Sequence, residues 1–453
     1  MDRSKQLGEE SIGKLLINFS IPAIVGMVVN AVYNIVDRIF IGRFIGDMGL
    51  AGVVIAYPIM LIIMAFAMLI GFGATSLISI KLGEGKQDEA ESILGNAFTL
   101  MIIFPLVLTA VGLFFLDDIL VLFGASKNVL PYAEQYLSII LIGAVFQTIG
   151  FGMNNFIRSE GNPKVAMGTM LVGAIINTIL DPILISVVGL GIKGAALATI
   201  LAQLASAIWV LYYFFSGNSL LKVRKPYLKL KSKLVSNILA LGSAQFAIQL
   251  ANSLIILLFN RALIRHGGDL AISAYGIINS ISTMILMPIF GINQGSQPIV
   301  GYNYGARKYD RVKKTLKLSI TGATIIVLIG FAVSMLFPEQ LVSLFSKGNK
   351  ELTKLASNGM RLFFLMYPVI GFQIVASNYF QATGKPKQAL FLSMSRQVIV
   401  LIPAILILPN IFGLNGIWAA GPTADFLASL LTGTFLILDL KNLDRMKNQN
   451  QFL

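Results

Sequence analysis

Apolar residues arrive in long blocks separated by short polar punctuation. The blocks cover residues 15–39, 50–80, 92–115, 133–157, 164–188, 193–214, 236–262, 272–302, 315–337, 357–381, 388–412 and 414–438. A helix rises about 1.5 Å per residue, so each block can cross a hydrocarbon core of roughly 30 Å. In lipid the backbone must satisfy its own polar groups, and a helix does so within a single segment. The pattern predicts an all-α integral membrane protein with twelve transmembrane helices. The leading MDRSKQLGEESIGK is polar. The apolar block after it is too long for a signal-peptide core and lacks a small-residue cleavage site, so it is read as the first span.

The punctuation carries a second pattern. Sliding the chain by 222 residues lays Gly46-Asp47 on Gly268-Asp269, Gly73 on Gly295, Gly83 on Gly305, Lys86 on Lys308 and Asp88 on Asp310. Over residues 46–88, 10 of 43 positions are identical without a gap. Apolar bias can match leucines by chance, but it does not align loop glycines and charges. A shift of 223 lays the Gly161-Asn-Pro-Lys164 turn on Gly384-Lys-Pro-Lys387, and the 222 shift returns at Gly191 and Gly194. Six spans per repeat is even, so both halves enter from the same side. They are expected to form two six-helix lobes related by a pseudo-two-fold axis along the membrane normal. The organisation read from the chain is 1–14 N-terminal segment, 15–215 first lobe, 216–235 basic linker, 236–440 second lobe and 441–453 tail. Folds built this way hold substrate between the lobes and alternate access by rocking, which points to a transporter.

Composition agrees with the membrane reading. Of 453 residues, 56% are hydrophobic and 12% charged, about half the charged share of a soluble domain. Mean hydropathy is +0.79. The net charge of +14 follows from topology. Basic residues crowd into KVRKPYLKLKSK between spans 6 and 7 and GARKYDRVKKTLK between spans 8 and 9, which the positive-inside rule places in the cytoplasm with both termini. A multi-pass protein of the cell inner (cytoplasmic) membrane is expected, with the lipid bilayer as partner and no role for nucleic acid. The absence of Cys excludes disulfides, thiolate metal sites and Cys nucleophiles. The single His266 falls in a polar RHGGD loop, so a His metal centre is excluded.

Acids inside apolar blocks are costly and therefore informative. Asp181, in INTILDPILI, is the only charged residue from Val165 to Ile192. Asn177 lies four residues earlier on the same helical face, and Pro182 removes a backbone donor, freeing the carbonyl of Thr178 and predicting a kink. Such a cluster of oxygens can exchange a proton, and its hard ligands also suit Na+. Asp37 lies late in span 1 and is read either as buried or as an interfacial acid paired with Arg38. Asp425 in span 12 and Arg396 in span 11 either pair or line a cavity. In the second half Phe259 and Pro403 stand where Asp37 and Asp181 stand in the first, so the ionisable cluster belongs to the first lobe.

These residues carry a family likeness over nearly the whole chain. Ser20-Ile-Pro22, Val36-Asp37-Arg38-Ile-Phe-Ile-Gly42, the Gly161-Asn-Pro163 turn, Asn177 through Pro182 and Gly194-Ala-Ala-Leu-Ala-Thr199, in that order, resemble the prokaryotic branch of the multidrug and toxic compound extrusion (MATE) transporters. The resemblance implies a twelve-helix secondary antiporter, not an enzyme, that expels amphipathic cationic drugs or dyes in exchange for H+ or Na+. It implies a cation-coupling site at Asp37, Asn177, Asp181 and Thr199 with Tyr136 beside it, the first four being the ligands of any Na+. It also implies a substrate cavity at Asn30, Tyr33 and Asn154, to which the reading of span 12 adds Asp425. No cofactor is implied, and a monomer is expected. A flippase for lipid-linked oligosaccharide precursors is the alternative from the same superfamily; it would need a strongly basic cavity to hold pyrophosphate.

Overall fold

The structure, a computed structural model, describes residues 3–346 and 349–450. It is all helical, with no strand among those residues. Spans 1 to 4 are Ile12–Phe44, Asp47–Gly83, Gln87–Phe114 and Leu130–Ser159. Span 5 is Pro163–Pro182 continued by a π-helical turn, Ile183–Val187, and span 6 is Ile192–Phe215. Spans 7 and 8 form one helical run, Ser232–Gly305, reversed at Gly268 alone (φ 63°). The sequence placed a loop around RHGGD; the turn is a single residue, in a left-handed conformation open to glycine. Span 9 is Tyr309–Leu336. Span 10 is the pair Lys350–Phe363 and Tyr367–Ala382, bent by 53°. Span 11 runs from Pro386 through a π-helical stretch, Ser395–Leu401, to Phe412, and span 12 is Leu414–Asn450.

Ten of these helices are individually long and apolar enough to cross a membrane. Counting the bent pair as one span and dividing the longest helix at Gly268 gives the twelve expected. Pro182 produces a π-turn at its C-terminal side. Two short helices not foreseen, Leu116–Leu122 and Pro338–Ser346, follow spans 3 and 9 at the repeat distance.

The apolar core divides as the repeat does. One cluster of buried residues draws on 244–443; two others draw on 7–221, joined by Ile238, Ile299 and Tyr302 from the second half. The lobes meet at the repeated glycines. A Cβ on Gly73 would lie 2.0 Å from the Ile238 carbonyl oxygen, and one on Gly242 1.7 Å from that of Leu69, so spans 2 and 7 touch backbone to backbone. On Gly295, in span 8, it would lie 2.8 Å from the Ser20 nitrogen of span 1. At the end bearing the termini, a Cβ on Gly83 would lie 2.0 Å from the Tyr302 carbonyl oxygen, and one on Gly305 2.0 Å from that of Ile80. Gln297 donates across the seam to Ser76 Oγ at 2.9 Å.

Both polar segments outside the spans are tied down. Residues Arg3–Glu9 form a helix with Leu7 fully buried. Asn303 Nδ2 donates to the Leu7 carbonyl at 2.9 Å, and Arg311 Nη2 donates to those of Leu7 and Glu10 at 3.0 and 2.7 Å. The stretch 219–231 is bound to the first lobe. Glu160 accepts from Ser219 Oγ, Tyr213 Oη and the amides of Leu220 and Leu221. Glu91 pairs with Arg224 Nε at 2.7 Å, and Asn96 accepts from the Lys231 amide at 2.7 Å. The passage between lobes is therefore anchored as far as residue 231.

Candidate functional site

A cavity of about 370 Å³ opens within the first lobe, walled by spans 1, 2, 4, 5 and 6 and touched by Gln249 of span 7. Asn30, Tyr33, Asp37, Tyr136, Asn154, Asn177 and Thr199 all line it. Asp181 is fully buried behind this wall. The i, i+4 spacing places Asn177 Nδ2 3.4 Å from Asp181 Oδ1, a long and weak hydrogen bond. The Asp181 carboxyl also interacts with that of Asp37, which is 9% exposed and reaches the cavity. Span 4 brings the buried phenol of Tyr136 against the Thr199 hydroxyl, with Asp37, Tyr33 and Asp181 around it.

Two carboxyls, one amide oxygen, a hydroxyl and a phenol thus converge from four helices. Asn177 Oδ1 is buried with no hydrogen-bond partner among the described residues, an expensive arrangement unless something is received there. No trio of His, Cys, Asp and Glu suited to a metal occurs among the described residues. The oxygen set fits a proton or a monovalent hard cation instead. Thr199 Oγ1 donates to the Ala195 carbonyl at 3.0 Å within its own helix, which still leaves lone pairs directed outward.

Two expected cavity residues have partners of their own. With its amide oriented to suit its surroundings, Asn154 donates to the Ala166 carbonyl and accepts from Arg158 Nη2, both at 2.8 Å. It therefore seats a buried cation as well as lining the wall. Asp425 does not line this cavity; it is 2% exposed in the second lobe and accepts from Arg396 Nε at 2.6 Å. The Arg38 side chain, the alternative partner of Asp37, lies outside the described residues.

In-span acids, their helical neighbours and the family likeness guided the sequence reading, which did not single out the neutral amides Gln147, Gln203 and Gln249 or the thioethers of Met60, Met64 and Met170. The signal was present for Gln203 and Gln147: each is an amide inside an apolar block, and each keeps a buried Oε1 without a partner among the described residues.

Comparison with known proteins agrees with this architecture. The family model MatE matches residues 22–183 and again 243–406, once in each lobe. The multidrug export protein MepA of Staphylococcus haemolyticus (strain JCSC1435) is 27% identical over 434 residues, covering 96% of this chain and 95% of its own. MepA of Staphylococcus aureus (strain MRSA252) is 28% identical over 409 residues, covering 90% and 89%. Among solved structures, the MATE multidrug transporter DinF-BH is 42% identical, with a TM-score of 0.90 over 97% of this chain and 98% of its own. An outward-facing MATE family transporter of the MOP superfamily shares the fold at 24% identity and a TM-score of 0.91, covering 97% of this chain and 98% of that one. With the MatE unit matched in both lobes and the fold shared from end to end, this chain belongs to the MATE family of membrane transporters.

Proposed function

We propose that this protein is a secondary active multidrug efflux antiporter of the cell membrane, exporting amphipathic cationic compounds in exchange for H+ or Na+. The observation that carries the reading is the carboxyl pair Asp37 and Asp181, backed by Asn177, at the wall of a cavity of about 370 Å³ with no Lys or Arg among its lining residues. That volume lies within the range of drug-sized sites. Tyr33, Tyr57, Phe146 and Phe151 with three methionines give it soft, repackable walls. A cavity without cations offers no seat for a pyrophosphate, which disfavours the flippase. Multidrug export is also the activity for which the staphylococcal relatives are named.

In the cycle, both termini and the basic loops face the cytoplasm, and the glycine seam closes that side. With the cavity open outward, the pair Asp37 and Asp181 takes up a proton, or Na+ held by both acids, Asn177 Oδ1 and Thr199 Oγ1. Neutralised, these groups pack against apolar helix faces at lower cost, and a cationic drug loses the negative charge that held it. The lobes rock, the ion leaves to the cytoplasm, and the ionised pair receives the next drug. Ion and drug are coupled because one charge cannot serve both. Tyr136 positions Thr199 and screens the pair from the rest of the bundle.

The experiment is dye export by protein reconstituted in liposomes, with an imposed pH gradient or an imposed Na+ gradient, comparing wild type with Asp181→Asn. Wild-type export should follow one of the gradients, and Asp181→Asn should bind the cationic dye more weakly and lose gradient-driven export. Wild-type export indifferent to both gradients, or normal coupled export by Asp181→Asn, removes the mechanism.

A further inference from the structure

Basic charge at the end bearing the termini is spent unevenly. In the loop between spans 8 and 9, Lys308 Nζ donates to the Gly8 carbonyl at 3.0 Å, Arg311 donates to those of Leu7 and Glu10, and Lys313 pairs with Asp444. In the segment between the lobes only Arg224 is matched by acids, Glu91 at 2.7 Å and Asp88 at 4.0 Å. The neighbouring Glu84 and Glu89 are taken by Lys81 and Lys86. Lys222, Lys225, Lys229 and Lys233 are exposed and have no ion pair among the described residues. Ion exchange and drug binding make no use of them.

These lysines stand on a rigid edge. Gln87 Nε2 donates to the Leu220 carbonyl at 2.9 Å, Asn96 Nδ2 to that of Tyr227 at 3.1 Å, and Thr99 Oγ1 to that of Leu228 at 2.9 Å. A Cβ on Gly95 would lie 2.5 Å from the Tyr227 carbonyl oxygen, so the segment lies backbone to backbone on span 3. Span 3 also supplies the depth. Ile103, Leu106, Val107 and Val111 are between 43% and 55% exposed, an apolar face that meets lipid chains. Ile103 is one helical turn, about 6 Å, beyond Thr99. The 3₁₀ turn Lys225–Leu228 therefore sits just outside the start of the hydrocarbon, at the level of the headgroups. Its side chains suit that level. Tyr227 is half-buried with Lys231 Nζ over its ring at 5.9 Å, and Leu230 is 40% exposed, the mixture of tyrosine, lysine and apolar surface that belongs at a membrane boundary.

We propose that the unpaired lysines of 222–233 form a docking surface for the headgroups of anionic phospholipids. Basic segments beside a bilayer attract anionic lipid, each lysine adding to the hold within a Debye length. Most such segments must be ordered when they bind; this one is already fixed by its bonds to span 3, so that cost falls away. An ammonium offers three donors to phosphate oxygens. Tyr227 and Leu230 beside the lysines offer apolar surface to the glycerol and the first chain carbons, which a soluble phosphate does not have. The anchors Gln87, Glu91, Asn96, Thr99 and Glu160 all belong to the first lobe, so the bound headgroup travels with that lobe.

The chain has no Cys, so Ser232→Cys, exposed at the start of span 7, carries a single fluorophore beside the lysines. The labelled full chain is reconstituted in phosphatidylcholine vesicles with a minor share of phosphatidylglycerol. Bromine quenchers are placed on the chains of phosphatidylglycerol in one preparation and of phosphatidylcholine in the other, and the quenching per mole gives the local enrichment. Phosphatidylglycerol should be enriched about fivefold or more beside the wild-type segment, and added salt should lower the excess. Lys225→Gln/Lys229→Gln should bring the two lipids near parity. Lys314→Gln/Lys317→Gln removes the same charge from exposed lysines of the other basic loop and should leave the excess unchanged. Parity in the wild type, an excess that survives Lys225→Gln/Lys229→Gln, or an equal loss in both pairs overturns the proposal. So does an excess abolished by soluble glycerol phosphate, which would assign the lysines to a soluble ligand.

Discussion

Adding one methyl group at Gly305 should hold the two lobes apart at the end bearing the termini. Its Cβ would lie 2.0 Å from the Ile80 carbonyl oxygen and 2.9 Å from the Ile80 carbonyl carbon. Normal carbon–oxygen contact is roughly 3.3 Å or more, so span 8 must withdraw by on the order of 1 Å, and the obstacle is backbone that cannot rotate aside. Overpacking of this kind costs about 1–3 kcal/mol. States that interconvert in a transport cycle differ by only a few kcal/mol, so the closed state should lose about 5- to 150-fold in population relative to the open one. The chain has no Cys, so a single Ser79→Cys thiol reports the seam without background. Ser79 is fully buried, and its Cβ lies 2.8 Å from the position of a Cβ on Gly301 across the seam. In Gly305→Ala, maleimide should label that thiol faster by a similar factor, and export should slow because the state closed at this end forms rarely. Gly276→Ala, in the same helix with nothing within 4 Å of the added carbon, should change neither. Labelling and export at wild-type rates in Gly305→Ala would refute the claim that this contact closes the lobes at the end bearing the termini.

Glu160, between spans 4 and 5, gives a pH prediction: burial, against the donors Ser219, Tyr213, Leu220 and Leu221, pushes its carboxyl up to about 7. The folded chain then keeps a proton that the unfolded chain has already lost, so this contribution is full below the unfolded value near 4.5, falls as pH rises to about 7 and is level above. Wild-type protein in detergent should therefore melt lower at pH 8 than at pH 5, and Glu160→Gln should shrink that difference; an unaltered difference rejects the assignment. Arg311→Ala removes the donors that hold the carbonyls of Leu7 and Glu10 and Asn303 Oδ1, at about 1–3 kcal/mol for the orphaned acceptors. Trypsin should then cut after the exposed Lys5 much faster, and an unchanged cleavage rate would show that the N-terminal helix is held by other contacts.

What the sequence reveals depends on how local the cause is. Twelve spans are legible because hydropathy acts through each segment by itself, and the two lobes because duplication left loop glycines in register. The meaning of those glycines is not local. Gly73, Gly83 and Gly305 are small because a carbonyl of the other lobe stands 2.0 Å from where a side chain would begin, and nothing near them in the chain announces it. The pairing of Asn177 with Asp181 follows from helical spacing. Their meeting with Asp37 and Tyr136 depends on spans packed in three dimensions, and only the family likeness anticipated it. The basic segment 216–235 reads from composition only as a linker, and that its stretch 219–231 is bound to the first lobe is not legible there. It is held by Glu91, Asn96 and Glu160, polar residues at or near the ends of first-lobe helices, which a search for acids deep in the spans passes over.

A duplicated scaffold does not oblige duplicated chemistry, and this chain separates the two. Phe259 stands at the repeat position of Asp37, and its ring stacks on Tyr275 at 4.9 Å between centroids. Tyr275, at the position of the cavity-lining Val53, stacks in turn on Trp418, which replaces Ala196. Three rings stand in the second lobe where the first lobe has Asp37, Val53 and Ala196, and the Tyr275 phenol is the one oxygen they bring in place of a carboxylate. Returning an acid to position 259 would therefore bury a charge in an aromatic stack without a second carboxyl or an amide beside it, and the fold would lose stability before it acquired a second ion site. Under the proposed antiport the ion is accordingly exchanged in one lobe, and the other, with rings at the positions of those first-lobe residues, is suited to act as the wall against which that exchange is converted into motion.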